Sequence, residues 1–443
     1  MHENCGVFGV YSPANCNYYT KMGIHALNHR GEEHCGIATY NKNDLQLITR
    51  PGKVEPNFTE EILGKLEGNL GIGHISAKDP QPFLADSKIG KFALAYNGNI
   101  INAKELRKSL LNKGHSFLTD HDVEVLTKLI AQGKDFVDGI SRLTNQIKGS
   151  FSLVLLTEDG IYAARDPYAF KPLIIGESNG KYAVASESRA LNYTKLNTNI
   201  RDLEAGEIVL INEKGLSTVK KIESKREAHC IFEWGYIASI DSVIDGIPVI
   251  SVRNNLGKTL ARKYGVEADL VAAVPLSGIG HALGYHEESG IVYKYVFLLD
   301  RFLGRSYTLF DQETRDEIAR RKLSTIDETI KGKRIILVDD SIVRGTQIRN
   351  KVKELKEAGA KEVHVRIACS PLEAPCLYDR ATRSYNELAT KNFTREKLRK
   401  YIGADSLYYN TLEDFVEAVV SCKGSKMTRS DLCLTCFGEP VVQ

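Results

Sequence analysis

Ile335-Ile336-Leu337-Val338-Asp339-Asp340-Ser341-Ile342-Val343-Arg344-Gly345-Thr346 runs from four apolar residues into two acids and then into a small, hydroxylic loop. Apolar residues without polar alternation mark a strand covered on both faces. Such a strand delivers Asp339 and Asp340 to its carboxyl end, where open α/β sheets bind ligands. The loop then presents backbone N–H groups and hydroxyls at the start of a helical pattern from Gln347, a setting that suits a phosphate dianion. The two acids can accept hydrogen bonds from sugar hydroxyls or hold a magnesium ion. A capped turn serving the helix dipole would explain one carboxylate, but not two followed by Ser, Arg, Gly and Thr.

Outward from this motif, β-branched runs at 269–274, 292–297, 334–338 and 363–367 are separated by helical stretches, which predicts a parallel sheet. The tail from Glu387 has a mixed, helical pattern. The first half has another rhythm. It predicts strands at 7–11 and 92–96, the second running into an Asn97-Gly98-Asn99 turn, with helices at 22–27, 103–112 and 122–131. Hairpins are expected across Asp159-Gly160 and Asn179-Gly180. Helices beside antiparallel hairpins imply α+β layers. The polar segment Ser224-Lys225-Arg226-Glu227 divides the chain into a domain at 1–223 and one at 224–443 with a helical C-terminal tail.

Composition bounds the function. With 443 residues, 42% apolar, 26% charged and a net charge of +3, the chain is an ordinary globular protein. That balance argues against a nucleic-acid or membrane partner. No apolar run reaches the ~18 residues of a membrane span, and Met1–Cys5 has no secretory pattern. Nine cysteines in such a chain point to reduced thiols, metal ligands or a nucleophile in a cytoplasmic protein.

Cys5 is the candidate nucleophile. Removal of Met1–Asn4 as a short propeptide would leave it at the N-terminus, where its own α-amine could act as general base. Asn97 and Gly98 could supply oxyanion donors, one a side-chain amide and one a backbone N–H. A buried structural cysteine is the bland alternative. The nearby His29-Arg30-Gly31-Glu32-Glu33-His34-Cys35-Gly36 segment and the Asn-Gly pair favour catalysis.

Taken together, the chain resembles the glutamine phosphoribosylpyrophosphate amidotransferases, the enzymes that open purine synthesis. The resemblance runs through Cys5-Gly6-Val7-Phe8-Gly9, Thr119–Leu126, Ala164-Arg165-Asp166-Pro167, Cys230-Ile231-Phe232-Glu233, Asp241–Gly246, Gly304-Arg305, Arg320–Leu323 and the phosphate motif. It implies an N-terminal-nucleophile (class II) glutaminase domain followed by a type I phosphoribosyltransferase domain. It further implies that Cys5 forms a thioester with glutamine, that Asn97 and Gly98 hold the oxyanion, and that Arg30 and Asp122 bind glutamine. Ammonia would then displace pyrophosphate from phosphoribosyl pyrophosphate, giving 5-phosphoribosylamine. That substrate would be held by Ser277, Arg301, Arg305, Asp339, Asp340, Ser341, Val343, Arg344, Gly345 and Thr346, with Ser277, Asp339 and Asp340 on Mg²⁺. The resemblance also implies a homo-oligomer inhibited by purine nucleotides. Cys433 and Cys436 form a Cys-x-x-Cys pair, and the resemblance supplies Cys230 and Cys376 as partners for a [4Fe–4S] cluster. By local spacing alone, zinc suits four thiolates at least as well.

The sequence departs from the family pattern in both sites. Ser76 stands where the family has an arginine that grips the glutamine carboxylate, and Lys78 is a candidate stand-in. Leu276 replaces an aspartate, Leu299 a lysine, and Ala169 and Lys171 a glycine and an arginine. These changes motivate an alternative: a divergent paralogue with an impaired glutaminase, either dependent on ammonia or serving as a nucleotide-binding regulator.

Overall fold

The computed structural model describes residues 4–41, 44–224, 226–299, 323–379, 382 and 384–442. Among these, the first half forms two antiparallel sheets of seven and six strands. Cys5–Tyr11 lies inside the seven-stranded sheet, between Lys181–Ala185 and Leu70–Ser76. Gly90–Ile100 lies in the six-stranded sheet, between Phe83–Ser87 and Gly149–Leu156.

Period-two alternation decides which side chains face the gap between the sheets. Val7 and Tyr11 meet Ala93, Ala95, Val154 and Ile161 in one inter-sheet core. Phe8 and Val10 point the other way, into a layer with Ile24 and Leu191 from the helices Asn17–Ala26 and Ser188–Thr194. Phe92, Leu94 and Tyr96 likewise point outward, against Val123, Leu126 and Ile140 from the helices Asp122–Ile130 and Phe136–Gln146. The result is four layers, helix–sheet–sheet–helix. Both expected hairpins form, with Leu156 opposite Ile161 and Ser178 opposite Lys181.

One expectation from the first half is corrected. Asn97-Gly98-Asn99 is not a turn but the continuation of Gly90–Ile100, paired with Gly149–Leu156. Gly98 adopts φ +153°, and a Cβ there would stand 2.1 Å from the Ser150 carbonyl oxygen. Glycine is required by close strand approach, not by chain reversal.

The second half contains a four-stranded parallel sheet, ordered Leu270–Ala273, Arg334–Asp339, Glu362–Ile367, Ser406–Tyr409. The helices Val249–Lys263 and Ile279–Ser289 cover one face, and Thr346–Glu357 and Arg395–Ile402 the other. The run 292–297 does not join this sheet as a full strand. Tyr293 makes one isolated bridge to Val271, and Phe297–Leu299 pairs instead with Leu323–Thr325. The fourth strand, Ser406–Tyr409, comes from the tail expected to be helical. Its Tyr408 stacks on Tyr264 at 4.7 Å between ring centroids. No helix among the described residues is long and apolar enough to cross a membrane.

Candidate active sites

The first site lies at one end of the gap between the two sheets. Cys5 shares the inward parity of Val7, Asn97 shares that of Ala95, and Ser76 that of Ile72. The candidate nucleophile and the candidate oxyanion donor therefore project from facing sheets into the same gap. Asn97 Nδ2 is buried and meets no acceptor among the described residues. Cys5 Sγ stands 3.8 Å from Ser76 Oγ.

A stretch of the second half closes this end of the gap. Asn99 Nδ2 donates to the Leu377 carbonyl (2.8 Å), and Ser150 Oγ donates to the Tyr378 carbonyl (2.7 Å). Asn4, the residue before Cys5, donates through its side-chain amide to Asp379 (2.9 Å to Oδ1). One short segment thus holds both the strand bearing Asn97 and Gly98 and the chain leading into Cys5. Phe170 stacks on Tyr378 at 4.0 Å, which keeps the segment down.

Arg30 is placed differently from its expected glutamine-binding role. It is fully buried, and its Nε donates to the Cys5 carbonyl (2.9 Å). Nη1 donates to Glu187 (2.6 Å) and to Glu233 Oε2 (3.0 Å), and Nη2 donates to Glu233 Oε1 (2.9 Å). Its charge is spent on one carboxylate from each half, so it links them and supports the nucleophile's backbone. It offers no fork to a glutamine carboxylate. Asp122 opens the helix Asp122–Ile130, and its neighbour His121 pairs with Asp79 at 3.0 Å, three residues beyond Ser76.

The second site forms where the strand Arg334–Asp339 ends. Ser277 Oγ donates to Asp339 Oδ1 (2.9 Å), and the Ser341 hydroxyl donates to Asp340. Burial first, and then the neighbouring Asp340 carboxylate, hold Asp339 well above the usual carboxylate range; burial also raises Asp340. Two acids so crowded favour a shared cation, and two carboxylates plus a hydroxyl form an all-oxygen set that suits Mg²⁺. Gly345, with φ +84°, leads the Ser341–Thr346 loop into the helix Thr346–Glu357. The Val343 carbonyl accepts from Ala389 N–H (2.6 Å), and Arg344 pairs with Glu387 (3.2 Å). Leu276 is exposed at φ +71°, a strained conformation for leucine. Arg301 and Arg305 lie outside the described residues, as does the motif at 320–322.

Sequence reasoning missed Arg253, which is buried behind the acid pair and donates to the carbonyls of Trp234, Tyr236 and Ala238. Asp340 lies near enough to raise its pKa, although burial drives the net shift downward. The available signal was an arginine on the apolar stripe Val249, Val252, Leu256 and Leu260.

The four expected cysteine ligands converge. Cys230 and Cys433 are register partners in a two-stranded parallel ladder. Burial raises all four thiols, Cys376 to about 12, and each lies within electrostatic reach of others in the set. Buried Lys171, beside Asp379 and Glu233, favours the ionised form of Cys230, Cys376 and Cys433. Among the described residues, no three His, Cys, Asp or Glu groups are arranged to hold a single metal ion. A lone zinc needs sulfurs about 2.3 Å from one centre.

A glutamine amidotransferase domain family matches residues 69–193. An amidophosphoribosyltransferase of Archaeoglobus fulgidus is 38% identical, covering 98% of this chain and 96% of its own length. One from Bacillus subtilis is 37% identical, covering 99% and 94%. The solved glutamine phosphoribosylpyrophosphate amidotransferase of B. subtilis, complexed with ADP and GMP, superposes with a TM-score of 0.91 at 36% identity, covering 98% of this chain and 97% of that one. A second structure, described as the allosteric regulatory enzyme of purine biosynthesis, gives 0.92, also at 36%, covering 98% and 96%. With this likeness spanning both halves and both sites, the chain belongs to the amidophosphoribosyltransferase family.

Proposed function

We propose that this chain converts phosphoribosyl pyrophosphate and glutamine to 5-phosphoribosylamine, pyrophosphate and glutamate, in the cytoplasm, as the opening step of purine synthesis. The observation that supports the reading is that Cys5 and Asn97, whose amide meets no acceptor among the described residues, project into one gap in the same polypeptide as the Ser277–Asp339–Asp340 cluster. Once Asn4 is removed, the Cys5 α-amine takes the thiol proton as sulfur attacks the amide carbon. Asn97 Nδ2 and the Gly98 N–H hold the oxyanion. Asp122 takes the substrate's α-amino group. Ammonia then reaches the second site, where Asp339 and Asp340 face the ribose hydroxyls and Ser341–Thr346 cradle the 5′-phosphate. Ser277, Asp339 and Asp340 are the donors for Mg²⁺, whose charge when bound offsets that of pyrophosphate. Cys230, Cys376, Cys433 and Cys436 hold a [4Fe–4S] cluster that pins the C-terminal tail. Purine nucleotides act as inhibitors, and the enzyme works as a homo-oligomer.

A second feature of the reading concerns the nitrogen source. Ser76 supplies no guanidinium, and Arg30 is committed elsewhere. Losing hydrogen bonds to a charged group costs about 1.5–3 kcal/mol, so glutamine binds weakly and free ammonia is the better donor. Pyrophosphate release, measured with glutamine or with ammonium chloride, tests both points. Release is expected with each nitrogen source, and Cys5→Ala should lose only the glutamine-supported part. No release with either would sink the proposal. A kcat/KM for glutamine equal to that of a relative with an arginine at this position would remove the second point alone.

A further inference from the structure

The end of the strand Leu70–Ser76 sets a hydroxyl beside the nucleophile, its oxygen fixed by backbone N–H groups. Cys5 and Ser76 are direct register partners, so their side chains share one face of the sheet. Sγ and Oγ are 3.8 Å apart. Ser76 Oγ also accepts two backbone N–H groups, from Lys78 and from Asp79, each at 2.9 Å. A hydroxyl has two lone pairs and one proton. In the resting contact the Cys5 thiol donates to Ser76 Oγ; with two N–H groups already on that oxygen, the Ser76 proton is the one left to turn toward sulfur once the thiol has given up its own.

Ser76 is held in place from several sides. A Cβ on Gly31 would stand 2.6 Å from the Ser76 carbonyl carbon, so that corner packs directly on this backbone. The Ser76 carbonyl accepts from Glu33 N–H (2.9 Å), and the residue is buried. Sulfur accepts weakly as a thiol and far better as a thiolate. The two N–H groups bonded to Oγ polarise its O–H further. The interaction therefore strengthens only as sulfur gains charge, which is the condition for lowering a barrier.

We propose that Ser76 is a catalytic residue of the glutaminase reaction, its hydroxyl donating a hydrogen bond to the Cys5 sulfur as the thiolate forms. The proposal rests on the reading of Cys5 as the nucleophile. In that step the Sγ–carbon bond forms and the amide C–N bond breaks. The thiol proton passes through the Cys5 α-amine to the departing ammonia, and the Ser76 proton stays on its own oxygen. Charged and titratable groups near the pair include Arg30, bonded to the Cys5 carbonyl and paired with Glu187 and Glu233, Glu33, whose N–H bonds the Ser76 carbonyl, and Asp79 with His121 beyond the turn. His34 pairs with Ser76 across the sheet, and Lys78 follows the turn. Substitution at Ser76 leaves all of these in the chain.

The test follows alkylation of Cys5 by iodoacetamide against pH, with the adduct located by peptide mass, in the wild type and in Ser76→Ala, Ser76→Asp and Ser76→Thr. Aspartate can still accept the two turn N–H groups, but it brings negative charge and no proton. Loss of the donor should move the profile's midpoint up by about one pH unit in Ser76→Ala, with roughly tenfold slower labelling at neutral pH, and further in Ser76→Asp. Ser76→Thr should keep the wild-type midpoint. Glutamine hydrolysis should fall in kcat while KM stays nearly constant. A midpoint in Ser76→Asp equal to that of the wild type overturns the proposal, even if Ser76→Ala fails to fold. If a diazoketone analogue of glutamine does not label Cys5 in the wild type, the nucleophile reading itself falls. Labelling on Cys5 with an unmoved midpoint removes only the role of Ser76.

Discussion

Asn97 keeps a buried amide donor that meets no acceptor among the described residues, an arrangement that costs about 1–3 kcal/mol. In the proposed reaction the oxyanion would take that place. Asn97→Ala should lower glutamine hydrolysis by about 10²–10³-fold in kcat, leave ammonia-supported pyrophosphate release unchanged, and not reduce the melting temperature. Steady-state assays with the two nitrogen sources check this. Leu276 shows strain of another kind, since φ +71° costs a leucine roughly 1–2 kcal/mol. Cys5, Asn97 and the acid pair could be singled out as candidates because the chemistry proposed for them depends on residue type and local order. Arg30 was not: its partner Glu233 lies 203 residues away, and sequence carries no sign that a guanidinium will be neutralised there.

At the scale of elements, period-two patterning carried the expected α+β layers, because each buried face must repeat every second residue. The signals failed where two causes share one residue type. An Asn-Gly pair marks tight turns, but Gly98 serves a strand that approaches Ser150 too closely for a Cβ. The run 292–297 has strand composition yet sits at the sheet's margin with one bridge, while Ser406–Tyr409 earns its place through its stacked Tyr408. Gly345→Ala places a Cβ at φ +84° and 3.1 Å from Leu398, so it should raise the KM for phosphoribosyl pyrophosphate and cost about 1 kcal/mol of stability. The ladder His229–Cys230 with Leu432–Cys433 brings two of the four candidate cluster ligands together from distant parts of the chain. With the proposed cluster in place, Cys433→Ser should abolish bound iron, read by metal analysis and visible absorbance, and loosen the C-terminal tail to protease.

Across the whole molecule, the two halves are joined by buried charge. Burial alone would raise Glu187, but His29 and Arg30 outweigh it and hold this carboxylate well below its usual range. A lowered native pKa stabilises the fold fully above the unfolded value of about 4.3, and the contribution is lost as pH falls below it. The melting temperature should therefore drop on acidification below about pH 4. Glu187→Gln, which leaves Arg30 short of a partner, should be destabilised by about 3–5 kcal/mol at neutral pH and show a shallower acid slope. Thermal melts across pH measure both. This joint was illegible in sequence because it needs residues from both halves at once, even though the division near Ser224 was suggested by polarity alone.

The Leu377–Asp379 segment gives that joint a practical use. Fragments 1–223 and 224–443 made separately would carry matching sets of orphaned atoms: the amide of Asn99 and the hydroxyl of Ser150 on one, the carbonyls of Leu377 and Tyr378 on the other. Fusing each fragment to one of two binding partners would turn glutamine breakdown into a reporter of their encounter.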